Sequence, residues 1–344
     1  MSHERKKYFL QQYLQLEYKH GGVGGADAER ILLSKGFKPV MFPHQHSFSL
    51  AAKISRFLFL IRLLFRIKKG SVIIFLFPVY AAMSRILLNW LRKKEVTIVC
   101  FIADINGLKD GNGEVLKNEI AFFRQFDHFI VHNDAMKEWV KKNISAKADV
   151  VSIGFFDFLT KPVNRQREIS GAIVFAGNLE KSTFLNKLHL LSGEGPSLHF
   201  HLYGPGITDR VSDQDNVTYH GVERPHDLPG KLAGSFGLLW DGDSIDKPGG
   251  SLGEYMQYIS HHKLSLYILS KLPIILPSSA ATASFVEGYK IGFTVNSLYE
   301  IEGKIKALSA RDYLQMQANM QPLADKISRG ECLGNAIDEI LRSI

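Results

Sequence analysis

A chain of 344 residues exceeds what one hydrophobic core usually serves, so two domains of about 150 residues each are expected. A hydrophobic share of 45% with 11% aromatics excludes a disordered chain, and two cysteines exclude a secreted disulfide framework. The net charge of +8 comes without zinc-ligand spacing, an aromatic RNP run or a helix-turn-helix, so nucleic acid is not an expected partner.

The start, MSHERKKYFL, runs straight into a strand over Lys7 to Tyr13 with no signal peptide, so a cytoplasmic chain is expected. The glycine loop of residues 21–25 follows, then a helix from Ala26 to Lys35 and a short strand near Pro39 to Phe42. Residues 53–69 form a basic apolar helix, with Lys53, Arg56, Arg62, Arg66, Lys68 and Lys69 interrupting Phe57 to Ile67. The interruptions leave too short an apolar run for a spanning helix. Its first reading is a helix covering one face of a sheet with arginines snorkelling outward, and its second is a peripheral contact with an anionic membrane surface. Strands at Ser71 to Phe77, Val96 to Ile102, His128 to His132 and Val150 to Ile153 alternate with helices at Ala81 to Leu91, Glu114 to Phe126 and Ala135 to Ile144.

Between Asp157 and Ser170 the periodicity is lost, as in an interdomain linker. Alternation restarts with strands Gly171 to Ala176, Ser197 to Tyr203, Val217 to Gly221 and Phe236 to Trp240, and helices Ser182 to Leu191 and Asp227 to Leu232. A helix from about Lys263 to Lys271 runs into the buried-type strand at Pro273, and the polar loop Ser278 and Ser279 opens the next helix. Residues 310–344 are helical in spacing, with no strand candidate. Strict alternation means parallel sheets covered on both faces, with ligands at the carboxyl edge. The expected division is an N-terminal domain at 1–158, a C-terminal domain at 171–325 and a terminal helix at 326–344 that packs back toward the first.

Candidate chemistry sits at strand ends. Four glycines in residues 21–25, Gly24 among them, allow close approach to a phosphate or sugar, or else make a mobile tight turn. They are no dinucleotide fingerprint, because the full glycine spacing is missing and no acidic residue ends the second strand. Gly177, Asn178 and Lys181 form a strand-to-helix turn where a lysine can neutralise a diphosphate. Tyr203 and Gly204 close a strand, the tyrosine flanking a base or serving the core. Asp241 and Asp243 follow a buried-type strand and can accept sugar hydroxyls or make an Asx turn; no third ligand follows, and no metal or other cofactor is expected. His261, His262 and Lys263 open a helix, and four-residue spacing puts Lys263 and Tyr267 on one face. A cation at a helix N-terminus opposes the dipole unless an anion lies between. Asp104, just past an apolar strand, can serve as general base toward an acceptor hydroxyl, with His20 and Glu114 as weaker candidates.

On FAGNLEKSTFL, HLYGPG, GLLWDGDS and the segment from His261 to Val295, the chain resembles the GT-B glycosyltransferases, and among them bacterial β-1,6-galactofuranosyltransferases related to adhesin-modifying glucosyltransferases. The resemblance implies an α/β fold of two Rossmann-like domains facing across a cleft, with a helical C-terminal tail. It implies that Asn178 and Lys181 contact the donor diphosphate, that Tyr203 and Gly204 lie beside the uridine, and that His262, Lys263, Ser265 and Tyr267 bind ribose and diphosphate. Many retaining GT-B enzymes carry an E-x7-E pair that His261 to Leu269 lacks, and Glu254 does not restore it.

The function expected is transfer of a hexose, with galactofuranose favoured, from a UDP-sugar to a hydroxyl of a glycan or lipid-linked glycan in cell-surface polysaccharide synthesis. A glucosyltransferase acting on a glycosylated protein and a non-catalytic sugar-nucleotide-binding subunit are the alternatives. A homo-oligomer is compatible with either.

Overall fold

Val72–Phe77 reads VIIFLF and is buried along its whole length, as a strand covered on both faces must be. In the computed structural model, which describes residues 5–14, 22–43, 47, 49–79, 81–191 and 198–344, it is the third strand of a six-stranded sheet. The strands are β1 (Lys7–Leu10), β2 (Lys38–Val40), β3 (Val72–Phe77), β4 (Thr97–Ile102), β5 (His128–Val131) and β6 (Asp149–Ser152). They lie in the order β2-β1-β3-β4-β5-β6, and every pairing is parallel.

The second sheet holds β7 (Ala172–Ala176), β8 (His199–Tyr203), β9 (Val217–Tyr219), β10 (Phe236–Leu238), β11 (Ile274–Pro277) and β12 (Gly292–Val295). Its order is β12-β11-β10-β7-β8-β9, again wholly parallel. Strand order reverses between β1 and β3 in the first sheet and between β7 and β10 in the second. Adjacent connections there leave on opposite faces, opening a crevice at the carboxyl ends of the strands. This is the GT-B architecture of two Rossmann-like units.

Several boundaries differ from the sequence reading, each for a local reason. The first helix is Val23–Ser34, three residues earlier than expected, so Gly24 and Gly25 lie inside its first turn. A Cβ on Gly25 would come within 2.6 Å of the Tyr13 ring, and one on Gly24 within 3.2 Å of His262. These glycines therefore admit neighbouring side chains; Gly21 and His20 lie outside the described residues. The first strand stops at Leu10 because, past the Gln11 amide that still bonds the Val40 carbonyl at 2.9 Å, the backbone NH groups are taken by a side chain. The buried Glu29 accepts from the amides of Gln12, Tyr13 (3.0 Å) and Leu14 (2.8 Å). The segment expected as a helix from Ser182 is a 3-10 helix over Thr183–Leu191, and a short helix at Gly250–Tyr255 has no periodic signal to announce it.

The stretch between the sheets is an ordered strap. Arg167 is buried and donates to the carbonyls of Ser270 (2.8 Å), Gly234 (2.7 Å) and Leu232 (2.9 Å), while its own amide reaches Gln317 Oε1 at 2.9 Å. Asp157 accepts from the amides of Cys332 (3.0 Å) and Leu333 (2.7 Å), capping the final helix Glu331–Ser343. That helix lays Leu333, Ala336, Ile337 and Ile340 into the core shared by Phe9, Val72 and Ile74 of the first sheet. The last helix thus packs on the N-terminal sheet.

The basic helix runs over Leu50–Arg66, capped by Ser49, whose hydroxyl accepts from the Ala52 amide at 3.2 Å. Its inward face, Ala52, Leu60 and Leu63, is buried. Its outward face is not the arginine-only surface that sheet cover would give, since Leu50, Ile54, Phe57, Leu58, Ile61 and Phe65 are all exposed. Among the described residues, no helix is long and apolar enough to cross a membrane.

Candidate functional site

The carboxyl ends of strands from both sheets line one cleft of about 740 Å3. From the N-terminal sheet come Tyr13 after β1, Pro78 after β3, Asp104 after β4 and His132 after β5; from the other come Gly177, Asn178 and Lys181 after β7, and Gly204 after β8. Gly24, Tyr203, His262 and Lys263 also line it. Of the residues singled out in the sequence, the fold brings together Gly24, Asp104, Gly177, Asn178, Lys181, Tyr203, Gly204, His261, His262 and Lys263, whereas Tyr13, Pro78 and His132 were not among them.

The donor-side wall is built by close backbone approach. Gly204 has φ +129°, and a Cβ there would fall 1.8 Å from the Gly177 carbonyl oxygen, so only glycine lets the ends of β7 and β8 meet. Asn178 and Lys181 are exposed at the rim, with Asn178 Oδ1 accepting from the Lys181 amide at 3.3 Å. Lys263 reaches over Gly177, where a Cβ would come within 2.9 Å of its Cε, and its Nζ sits 4.2 Å from the centre of the Phe175 ring.

Asp241 is the hub of this wall and not a cleft-lining residue. Its Oδ1 lies 3.3 Å from Lys263 Nζ and its Oδ2 2.8 Å from His261 Nε2, so both oxygens are engaged before any ligand arrives. Burial acts to raise its pKa, but the Lys263 ammonium and the His261 hydrogen bond outweigh it and hold the carboxyl well below the usual range. Asp243, two residues on, is exposed.

Two expected ligand contacts are corrected. Tyr267 is fully buried; its hydroxyl donates to the Leu238 carbonyl and accepts from the Ala176 amide, both at 3.1 Å, tying β10 to β7. The four-residue spacing does align it with Lys263. One turn of helix is 5.4 Å, however, so the first turn reaches the cleft while the second already lies over the sheet. Ser265 is likewise buried and donates to the Phe156 carbonyl at 2.5 Å. Tyr203 borders the cleft but is 3% exposed: its ring stacks on His220 at 4.5 Å, and its hydroxyl donates to Lys231 O (3.2 Å) and accepts from Ala233 N (2.9 Å). It is an anchored wall, not a ring free to stack on both faces.

On the opposite wall Asp104 is held by Lys109 Nζ at 2.8 Å and by the Tyr255 hydroxyl at 3.4 Å. Tyr255 comes from the second domain and also accepts from the Ile105 amide at 2.8 Å, so the interdomain contact fixes where Asp104 points. Glu114 is exposed in the first turn of Gly113–Phe123 and lies off the cleft.

His132 went unnoticed in the sequence reading, and His261 was named there only as opening the helix of Lys263, with no ligand role. The signal for His132 was its place just past the strand at His128–Val131, the same kind of position that drew attention to Asp104. With His262 they give three buried ring nitrogens, His132 Nε2, His261 Nδ1 and His262 Nε2, that have no hydrogen-bond partner among the described residues, in a cleft these histidines line. Burial lowers the pKa of both His132 and His262 to about 4, so they are neutral at pH 7 and present hydrogen-bonding capacity rather than charge.

The same shifts predict an acid-sensitive fold. Between pH 6.5 and about 4 the unfolded chain binds protons that native His132 and His262 refuse, so stability rises with pH across that window. His201, lowered to about 4, and His220, also lowered, act in the same direction, while Asp157, raised to about 6, and Glu29 and Glu119, raised as well, all by burial, act the other way, three carboxyls against four imidazoles. Acidification from pH 7 to 5 is expected to lower Tm through a net loss on the order of 1 kcal/mol per pH unit. A Tm that is flat or rising over that range in calorimetry counts against buried neutral histidines.

Comparison with known proteins agrees with this architecture. Profiles of the glucosyltransferase 3-like N-terminal and C-terminal domains match residues 7–155 and 173–340. The β-1,6-galactofuranosyltransferase WbbI of Escherichia coli K12 is 28% identical over 283 residues, 80% of each chain, and glucosyltransferase 3 of Streptococcus gordonii is 22% identical over 282 residues, 79% of this chain and 80% of that one. Among solved structures, Anabaena Alr3699/HepE in complex with UDP and glucose superposes with a TM-score of 0.62 at 14% identity, covering 99% of this chain and 100% of that one. With both profiles matched in order along a two-sheet GT-B fold, the chain belongs to the glucosyltransferase 3-like family and is a glycosyltransferase that uses a sugar-nucleotide donor.

Proposed function

We propose that the protein transfers galactofuranose from a UDP-sugar to a hydroxyl of a glycan or lipid-linked glycan in cell-surface polysaccharide synthesis. The observation that carries this reading is the pairing of Lys181 and Lys263 on one wall of the cleft with Asp104 on the other, at the switch points of two parallel sheets. The 28% identity to a galactofuranosyltransferase supports the choice of sugar.

In this reading the donor diphosphate lies along Gly177, Asn178 and Lys181 with Lys263 beside it, and the sugar extends toward His132, His261 and His262. Their unpartnered ring nitrogens suit hydroxyl groups, each able to donate or accept one hydrogen bond. The acceptor oxygen bonds to the anomeric carbon and gives its proton to Asp104, while the bond from that carbon to the β-phosphate oxygen breaks and UDP departs. Both lysines offset the charge that collects on the leaving group. The chemistry is assigned to side chains of this chain, without a metal or other cofactor.

Two measurements separate the parts of the proposal. Titration calorimetry with UDP is expected to show saturable binding, and absence of binding to UDP and to every UDP-sugar removes the donor assignment. A turnover screen of UDP-galactofuranose, UDP-galactose and UDP-glucose is expected to favour the first. Preference for UDP-glucose selects a glucosyltransferase, the activity in the name of the S. gordonii relative, and makes a glycosylated protein the acceptor to test.

A further inference from the structure

The Leu50–Arg66 helix carries two apolar stripes where a sheet-covering helix needs one. Leu50, Ile54, Phe57, Leu58, Ile61 and Phe65 recur at helical spacing on the outward side, with Leu50 74% and Phe65 80% exposed. The neighbouring helix Ala82–Lys93, which packs against it, adds exposed Ile86 and Trp90 four residues apart. An outward apolar stripe of this length marks an interaction surface.

Charge identifies the occupant. Residues 30 to 94 contain thirteen lysines and arginines and no aspartate or glutamate, in a chain whose net charge is only +8. Lys53, Arg62, Arg66 and Lys68 on or just past the first helix, and Arg92 and Lys93 at the end of the second, are exposed. A second copy of this chain docking through the same face would bring like charges together with no carboxylate to answer them. Nucleic acid would satisfy the cations but has no use for six exposed aliphatic and aromatic side chains. A bilayer surface with anionic headgroups takes both, the apolar stripe entering the headgroup boundary and the cations pairing with phosphates.

We propose that this face docks the protein on an anionic membrane surface. The two helices follow β2 and β3, so each begins at the carboxyl edge of the first sheet, the edge that opens into the cleft. A protein seated this way holds the mouth of its cleft beside the lipid. That the acceptor arrives there as a lipid-linked glycan rests on the transferase reading above; the docking itself does not.

The test is co-sedimentation of the full chain with vesicles of phosphatidylcholine alone or mixed with an equal part of phosphatidylglycerol. Binding to the anionic vesicles only, weakened by high salt, is expected. Arg62→Glu with Arg66→Glu is expected to lower partitioning at least about thirtyfold, the factor set by about 1 kcal/mol for each lost cation. Leu58→Ser with Phe65→Ser is expected to weaken it independently of salt. Binding unchanged in both double variants overturns the proposal. So does a chain that ignores both vesicles, or one that forms a dimer dissolved by Phe65→Ser. UDP titration of the same variants in solution is expected to be unaltered, which keeps a failure of docking distinct from a failure of the donor site.

Discussion

Replacing Lys263 by alanine is expected to lower kcat about a hundredfold, with KM for the UDP-sugar changed far less. As the anomeric bond breaks, charge moves onto the β-phosphate, so a cation fixed beside it favours the transition state over the bound substrate. Losing one such preorganised contact costs roughly 3 kcal/mol, or about two orders of magnitude in rate. What preorganises Lys263 is visible: Asp241 at 3.3 Å, the face of Phe175 at 4.2 Å, and the absence of a side chain on Gly177. Because Asp241 loses a partner in this variant, thermal unfolding must accompany the kinetics. Lys181→Ala is the cleaner companion, since Lys181 is exposed and no ion pair to a carboxylate restrains it among the described residues. It is expected to fall in the same direction with Tm unchanged. Near-normal turnover in both variants would place the leaving group elsewhere.

The contrast between these lysines shows what sequence could convey. Alternation of strand and helix sufficed for two parallel sheets, because β-branched and aromatic runs bounded by glycine and polar turns have few other ways to fold. Strand ends then pointed to Asp104, Asn178, Lys181 and Gly204, all of which reach the cleft. Depth was what spacing could not supply. Tyr267 shares a helix face with Lys263, yet a single turn separates the rim from the sheet, and its hydroxyl is consumed by Ala176 and Leu238. Charge compensation was equally hidden, as twenty-two residues separate Asp241 from the lysine it restrains. Gly24 and Gly25 looked like a ligand loop because missing side chains permit any close approach; both line the cleft, and His262 and Tyr13 already approach them there.

Asp104→Asn is expected to reduce transfer by at least about a hundredfold while UDP binding stays near its wild-type value. Asparagine keeps the shape of the side chain and its hydrogen bond from Tyr255, and at 35% exposure the site tolerates the lost charge, so folding should survive. What disappears is the capacity to take the acceptor's proton. The leaving-group wall is untouched because Asp104 belongs to the opposite domain. Two further variants separate proton transfer from architecture. Lys109→Met removes the 2.8 Å ion pair yet leaves the carboxylate, and is expected to cost much less than Asp104→Asn. His132→Gln removes the other proton acceptor on that wall, a weak base with its pKa near 4, and is expected to act mainly through KM for the donor. Should His132→Gln abolish kcat while Asp104→Asn retains it, the base is the histidine, and the role of Asp104 reduces to holding Lys109 and Tyr255 where the two domains meet.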